Sequence, residues 1–241
     1  MIYKTRGIVL RTINYSDTSI ISKIYTEQSG IQSYLIKGAR RKKAGIKANL
    51  FQPLSLLELV VYRKEKKQLQ NLKEARPEIH FTSIPYDSSK TSILFFLNEL
   101  LLKCLHEEEN NSELFSFLHE SVQTLDSAEN NFSNFHLIFM MRFSRFLGFF
   151  PQGNFSDATP VFDLREGKFI IRDPLHPDFL TKESGKLISK LILSNYYSME
   201  KLILSGQERK MLLEILLRFY QLHLSHAGNI SSHKVLEQIL S

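Results

Sequence analysis

The hydrophobic residues of this 241-residue chain follow one period up to about residue 76 and another from Asp87 onward. The first part contains short runs of β-branched, aromatic and leucine side chains separated by turn residues, a pattern typical of β-strands. A sheet of this size usually closes to hide its edges, so we predict a small barrel of the OB-fold or SH3-like type. The predicted strands are GIVLRTI, SIISKIYT, SYLIKG, LSLLELVVYRK and LQNLKEA.

Helical periodicity governs the second part of the chain. Six of the seven phenylalanines between residues 132 and 150 recur at spacings of 3 or 4, which places them on one helix face about 60° wide. They are Phe132, Phe135, Phe139, Phe143, Phe146 and Phe150. Such a stripe usually packs into the core of a helical bundle. Ser205 and Glu208 have the spacing of a capping box and mark the start of another helix. We therefore predict the α+β class, with a five-stranded barrel of the OB-fold or SH3-like type followed by an all-α helical domain.

One segment, between residues 151 and 180, interrupts the helical pattern. It holds four of the seven prolines, and its runs VFDL and FIIR flank the turn sequence REGK, which predicts a small hairpin. The predicted organisation is a β-barrel domain over residues 1–80 and a helical domain over residues 81–241 that contains this irregular insert.

Charge is distributed unevenly along the chain. Residues 1–80 contain 16 Lys and Arg against 6 Asp and Glu, a net charge of +10, whereas residues 81–241 contain 15 against 19, a net charge of −4. A basic module of this kind indicates contact with a polyanion, either nucleic acid or an anionic membrane surface. The membrane is disfavoured because the basic run has no apolar face of its own. No segment reaches about 18 unbroken apolar residues and the start lacks the core of a signal peptide, so we expect a cytoplasmic protein.

The densest charge is KGARRKKAGIK, residues 37–47, which holds six cations and no acidic residue. Cations that neutralise phosphates release counterions, and aromatic side chains among them can stack on bases, as in OB-fold proteins that hold single strands. Tyr15, Tyr25, Phe51 and Tyr62 are further aromatic residues of the basic module. The predicted nucleic-acid contacts are Arg6, Arg11, Lys37, Arg40, Arg41, Lys42, Lys43, Lys47, Tyr34 and Arg63.

Known catalytic motifs are missing from the sequence, which has no P-loop, no G-x-S-x-G elbow and no H-E-x-x-H. The single cysteine, Cys104, excludes an intrachain disulfide, and its apolar neighbours indicate a buried side chain. His223 and His226 could share a helix face, but few further ligands lie near them, so we predict neither a metal nor a cofactor. A binding protein is favoured. An RNA- or ribosome-associated OB-fold protein and an enzyme acting on nucleic acid are the alternatives.

Two stretches of the chain resemble the RecO family of bacterial recombination mediators. The first is GIVLRTINYSDTSIISKIYTEQSGIQSYLIKGARRKKAG, continuing through LFQPLSLLELVVYRK, and is similar to the N-terminal domain of the family. The second is YQLHLSHAGNISSHKVLEQ, which resembles the family's last helices. This resemblance implies an OB-fold followed by a helical domain, and a role that is not enzymatic.

The resemblance also implies a function. Members of the family bind single- and double-stranded DNA, anneal complementary strands and, with RecR, help RecA replace single-strand-binding protein (SSB) on DNA gaps. Matching basic positions imply DNA contacts at Arg11, Lys37, Arg40 and Arg41. The family docks the acidic C-terminal tip of SSB on its helical domain, and Arg142, beside the phenylalanine stripe, is our candidate for that contact.

The chain departs from the family pattern in the insert. Many members carry a four-cysteine zinc motif between their helices, where this chain has NFSDATPVFDLREGKFIIRD and no cysteine. Either the hairpin replaces that zinc knob as packed structure, or the partner contacts of the insert differ in this chain. We favour the first, because VFDL and FIIR supply apolar side chains.

Overall fold

A computed structural model gives the architecture and describes residues 2–62, 67–105, 110–225, 228 and 230–240. The chain divides into two compact units, one formed by Met1–Tyr86 with Leu105–Asp126 and the other by Asp87–Cys104 with Ser127–Ser241. The α-helices of the described residues are α1 (Ser88–Cys104), α2 (Ser112–Ser127), α3 (Phe135–Phe146), α4 (Lys182–Leu193), α5 (Gly206–His223) and α6 (His233–Leu240).

The first unit is built around a closed barrel of five strands. The strands are β1 (Ile2–Tyr15), β2 (Ser19–Thr26), β3 (Gly30–Ile36), β4 (Leu56–Tyr62) and β5 (Leu69–Pro77). They follow the order β1-β2-β3-β5-β4, and β1 pairs with both β2 and β4 to close the barrel. Every neighbouring pair is antiparallel except β3 with β5, which is parallel. This Greek-key order is that of the OB-fold, so the predicted fold class is confirmed.

Alternating side chains fill the barrel. On β2, Ile20 and Ile24 are buried inside, whereas Ile21 and Lys23 point outward and remain partly exposed. The same alternation on the other strands gives an interior made of apolar and aromatic side chains. The buried cluster comprises Val9, Ile20, Ile24, Tyr34, Ile36, Ala39, Phe51, Leu57, Leu59 and Val61.

Helix α2 packs on the outside of this barrel. The ring of Phe115 lies 6.1 Å from that of Tyr25, and the Tyr25 hydroxyl donates a hydrogen bond of 3.3 Å to the carbonyl oxygen of Asn111. Asp126 near the end of α2 accepts hydrogen bonds of 2.8 to 3.0 Å from three consecutive backbone N–H groups, those of Thr82, Ser83 and Ile84. Helix α2 therefore groups with the barrel, although it lies beyond residue 80, where the sequence places the domain boundary.

The second unit has a helical core. Phe135, Phe139 and Phe143 of the phenylalanine stripe are fully buried on α3, so the central part of the stripe packs into the core as predicted. The outer members differ, because Phe132 and Phe150 lie outside α3 and, like Phe146, are only partly buried. Helix α5 begins at the predicted capping box: the N–H of Ser205 donates to the Glu208 carboxylate at 2.8 Å, and the N–H of Glu208 donates to the Ser205 hydroxyl at 3.2 Å.

The insert is a packed sheet of three strands, β6 (Val161–Asp163), β7 (Lys168–Ile170) and β8 (Phe179–Leu180). The antiparallel pairing of β6 with β7 confirms the predicted hairpin. The ring of Phe162 lies 4.9 Å from Phe169 within the sheet and 6.0 Å from Phe219 of α5. The Asp178 carboxylate accepts hydrogen bonds of 2.8 Å from both Arg165 and Arg218. Aromatic packing and this charged bridge hold the insert to the helices.

Glu99 of α1 anchors the start of α6. Its carboxylate accepts hydrogen bonds from the N–H groups of Ser231 at 3.0 Å and Ser232 at 2.8 Å, and lies 3.1 Å from the Lys103 ammonium. Partial burial raises the pKa of this carboxyl, but the donors outweigh it and lower the pKa of Glu99 from 4.5 to about 2.

Gly7 is required by the packing inside the barrel. A Cβ atom at this position would lie 2.7 Å from both Ile24 Cγ2 and Leu59 Cδ1. We expect Gly7→Ala to lower the free energy of unfolding by about 1 to 3 kcal/mol, measured by urea denaturation, because a filled core resists added volume. Gly45→Ala is the matched control, since a Cβ there meets nothing within 4 Å. Equal stability of the two variants would contradict this account of the barrel interior.

The lowered pKa of Glu99 predicts a pH-dependent attachment of α6. A carboxyl with a depressed pKa in the folded state stabilises it above the unfolded pKa and loses that effect as the pH falls through the folded value. We expect Glu99→Gln to be less stable than the parent near neutral pH, with the difference shrinking between pH 4.5 and about 2. Thermal unfolding across this range measures it, with exposed Glu200→Gln as control. A stability difference that does not change with pH would show that the charge of Glu99 does not stabilise the attachment of α6.

Candidate nucleic-acid interface

Residues 37–47, the basic loop, are fixed to the barrel at several points. Gly38 opens the loop with a φ of 68°, a conformation that glycine adopts without steric cost. The N–H of Arg40 donates to the carbonyl oxygen of Thr18 at 2.9 Å, and the N–H of Ala48 donates to that of Ala39 at 3.0 Å. Ala39 belongs to the buried barrel cluster, and Ile46 packs against that cluster from the other end of the loop. The apolar residues therefore anchor a loop whose charged side chains face outward.

The basic loop presents its charge without internal neutralisation. All six of its cations are exposed, and none forms an ion pair with another described residue. Elsewhere in the first unit, by contrast, Arg76 is paired with Glu58 and Lys73 lies 3.3 Å from Glu74. Unpaired cations held on a rigid support create the positive potential that attracts a polyanion. The six are Lys37, Arg40, Arg41, Lys42, Lys43 and Lys47.

The outer side of β1, β2 and β3 next to the loop carries two rows of side chains, which we call the open face. In the basic row Arg11 lies opposite Lys23, and in the apolar row Ile13 lies opposite Ile21, which lies opposite Leu35. Residues opposite each other on neighbouring strands share a face, and like charges in such a pair repel. An anionic ligand over the open face would relieve the repulsion between Arg11 and Lys23.

The open face also carries exposed apolar surface. Ile13 is 46% exposed, and Tyr15 at the end of β1 is 50% exposed. The hydrogen bond between Arg40 and Thr18 joins the basic loop to the turn that follows Tyr15. Cations and apolar platforms thus lie side by side, which is the composition of a surface that binds single-stranded nucleic acid.

Two of the predicted nucleic-acid contacts, Tyr34 and Arg6, are engaged in interactions within the first unit. Tyr34 is 1% exposed and points into the barrel core, so its ring cannot stack on a base. The Arg6 guanidinium donates to Glu27 at 2.6 and 2.9 Å and lies 5.2 Å from the centre of the Phe115 ring. The hydrogen bond to Glu27 outweighs burial and raises the pKa of Arg6, whose charge is therefore already matched.

The other aromatic candidates divide in the same way. Tyr25 and Phe51 are buried, whereas Tyr15 and Tyr62 are exposed. The sequence alternation that predicts a strand does not reveal which of its two faces turns inward. The sequence alone therefore does not distinguish the buried aromatic residues from the exposed ones. Arg63 lies outside the described residues. Lys23 becomes a candidate contact because it lies opposite Arg11, and this position follows from the strand register.

Arg142, the candidate partner contact, is half-buried in the second unit. Its Nε and Nη2 atoms donate to the carbonyl oxygen of Ser194 at 3.1 and 2.5 Å, at the C-terminal end of α4. Burial and the nearby Arg145 lower the pKa of Arg142 below its ordinary value. Two nitrogens of the Arg142 guanidinium therefore stabilise the end of α4.

The described residues offer no group of three or more His, Cys, Asp and Glu side chains that could hold a metal ion. His223 bonds the carbonyl oxygen of Leu164 through Nε2 at 2.9 Å, and His226 lies outside the described residues. Cys104 is buried, and burial raises the pKa of its thiol to about 12, which confirms the prediction of a buried side chain. None of the helices within the described ranges is long and apolar enough to cross a membrane.

Comparison with known proteins places the chain in a family. Residues 1–79 match the family model for the N-terminal part of recombination protein O, and residues 85–232 match that for its C-terminal part. The chain is 41% identical over 241 residues to the DNA repair protein RecO of Phocaeicola vulgatus, covering 100% of both proteins. It is 39% identical to RecO of Bacteroides fragilis and 35% identical to that of Flavobacterium psychrophilum, each over 240 residues and 99% of both chains. The chain therefore belongs to the RecO family of DNA repair proteins.

Proposed function

We propose that this protein binds single- and double-stranded DNA through the basic loop and the open face, anneals complementary strands and, together with RecR, helps RecA replace SSB. The observation that supports DNA binding most directly is the set of six exposed, unpaired cations on the basic loop. The proposed role is a binding role with no chemical step, and we place it in the cytoplasm.

Charge neutralisation explains why this DNA binding would not depend on the DNA sequence. Lysine and arginine side chains that contact phosphates release condensed counterions, which favours binding without regard to sequence. Within the loop, Arg40 and Arg41 can each offer two parallel donors to one phosphate, while Lys42 and Lys43 act as point charges. Binding of this kind suits a protein that must act wherever a gap occurs.

The open face explains how a single strand could be held as well as a duplex. Exposed bases of a single strand can rest on Ile13 and Tyr15, while phosphates face Arg11 and Lys23. Stacking of a base on an aromatic ring such as that of Tyr15 contributes about 1 to 3 kcal/mol and tolerates any sequence. Two strands held this way would keep their bases accessible for pairing, which is what annealing requires.

The partner proteins rest on family membership. RecR and RecA are proposed as partners because the chain matches both parts of the RecO family along its length. The acidic tip of SSB is proposed to dock on the helical unit. Arg142 remains our candidate, since one nitrogen of its guanidinium is not used by the two bonds to Ser194.

Salt dependence tests the DNA-binding proposal. If about five phosphates are neutralised, log affinity for single-stranded DNA should fall with log salt at a slope of about −3 to −4. Changing Arg40, Arg41, Lys42 and Lys43 together to Ala should make this slope less steep by about 3 units, measured by fluorescence anisotropy. The control variant changes the same number of exposed cations of the second unit, Arg172, Lys190, Lys201 and Lys234. Full binding by the loop variant would refute the proposal, and preference for RNA of equal length would favour the ribosome-associated alternative.

Annealing of SSB-coated strands tests the mediator role. We expect the protein to anneal complementary DNA strands coated with intact SSB, and to do so poorly when the acidic C-terminal tip of SSB is deleted. The tip offers carboxylates and apolar side chains, so its loss should remove the docking contact on the helical unit. Fluorescence transfer between labelled strands gives the rate, with uncoated DNA as control. Equal rates with and without the tip would leave a DNA-binding protein but remove the proposed SSB contact.

A further inference from the structure

The barrel closes at a short seam between β3 and β5. Only three residue pairs join these strands, Ser33 with Leu69, Tyr34 with Gln70 and Leu35 with Asn71, whereas seven join β2 to β3. The seam is short because β3 ends at Ile36 and the chain turns away at Gly38, while β5 continues along β4.

A cleft of about 430 Å³ opens at this seam. It is lined by Leu35, Lys37, Lys67, Gln68, Leu69 and Asn71. The cleft is open to solvent rather than enclosed, so an extended chain can lie across it. The Gln70 amide donates to the carbonyl oxygen of Lys67 at 2.5 Å, which fixes the backbone at one edge of the cleft.

The side chains in the cleft combine three kinds of chemistry. Leu35 and Leu69 are half-buried and provide an apolar floor. The Asn71 amide makes no hydrogen bond to another described residue, so its donors and acceptor can serve a ligand. Lys37 and Lys67 are exposed, and neither is ion-paired within the described part of the chain. A flat apolar group with polar edges, flanked by anionic charge, matches all of these features, and a nucleotide has that composition.

The cleft is also a continuation of the open face. Leu35 is the last member of the apolar row that begins with Ile13 and Ile21, and it lies opposite Asn71 across the seam. A DNA strand that follows this row would arrive at the cleft with its backbone near Lys37, at the start of the basic loop.

We propose that the seam cleft takes up one unstacked base of single-stranded DNA, with Leu35 and Leu69 against its face, Asn71 at its polar edge, and Lys37 and Lys67 on the adjacent phosphates. This inference rests on the proposed DNA binding. A base within a duplex is paired and stacked, so it cannot enter the cleft without first being extruded. The cleft therefore gives the protein a preference for single strands that the basic loop, which contacts only phosphates, does not provide.

Substitutions of uncharged residues in the cleft distinguish its contribution to DNA binding from that of the basic loop. Asn71→Leu and Leu69→Ala should each weaken binding to single-stranded DNA by about tenfold, the scale of one lost base contact. Their affinity for duplex DNA and their salt slope should stay unchanged, because no cation is removed. Gln28→Ala removes an exposed amide in the turn between β2 and β3 and serves as control. Parent-like binding of single strands by both cleft variants, or an equal loss for duplex, would overturn the inference, while a failure of DNA binding itself would appear in the loop variant.

A second measurement uses the unaltered protein, so that it does not depend on how a variant folds. Single-stranded DNA carrying 4-thiothymine is irradiated in the complex, and the cross-linked peptides are identified by mass spectrometry. We expect cross-links to residues 35–37 and 67–71. Cross-links confined to other parts of the chain would contradict the placement of a base in the cleft.

Discussion

The short parallel pairing of β3 with β5 is the contact on which the first unit depends. It completes a ring in which every other neighbouring pair is antiparallel, and without it the sheet would have two open edges. Once the ring is closed, each strand has one face inside and one outside. The interior fills with apolar side chains, so the many cations of the basic module have to lie on the outer surface. The same pairing is the least continuous part of the sheet, and the seam cleft opens there.

Pairing of charges, more than their number, distinguishes structural cations from candidate DNA contacts. Arg6 and Arg40 carry the same guanidinium group, yet Arg6 is bonded to Glu27 and lies 5.2 Å from the Phe115 ring, whereas Arg40 faces solvent without a carboxylate partner among the described residues. The basic loop forms no ion pair within itself because it contains no acidic residue. Burial of Ala39 in the barrel core holds the loop against the barrel. A positive potential is thereby held at a fixed place beside the open face.

The sequence predicts what local patterns determine and misses what depends on distant neighbours. Strand alternation, the central part of the phenylalanine stripe and the capping box of Ser205 with Glu208 all appear in the structure, because each is set by residues a few positions apart. The burial of Tyr34 depends on which strand face turns inward, which its own alternation does not fix. The grouping of α2 with the barrel depends on Phe115 meeting Tyr25, 90 positions earlier in the chain. The seam cleft likewise requires the register of strands that are separated in sequence.

The insert shows how a single central charge can organise a small irregular segment. Asp178 is mostly buried and accepts hydrogen bonds from Arg165 within the insert and from Arg218 on α5, so one carboxylate joins the two parts. Zinc knobs use the opposite arrangement, in which a central cation is surrounded by anionic thiolates. Both arrangements place a buried charge among ligands of opposite sign, and both leave uncompensated charge when the centre is removed. Here the rings of Phe162 and Phe169 supply apolar packing 4.9 Å apart within the same sheet.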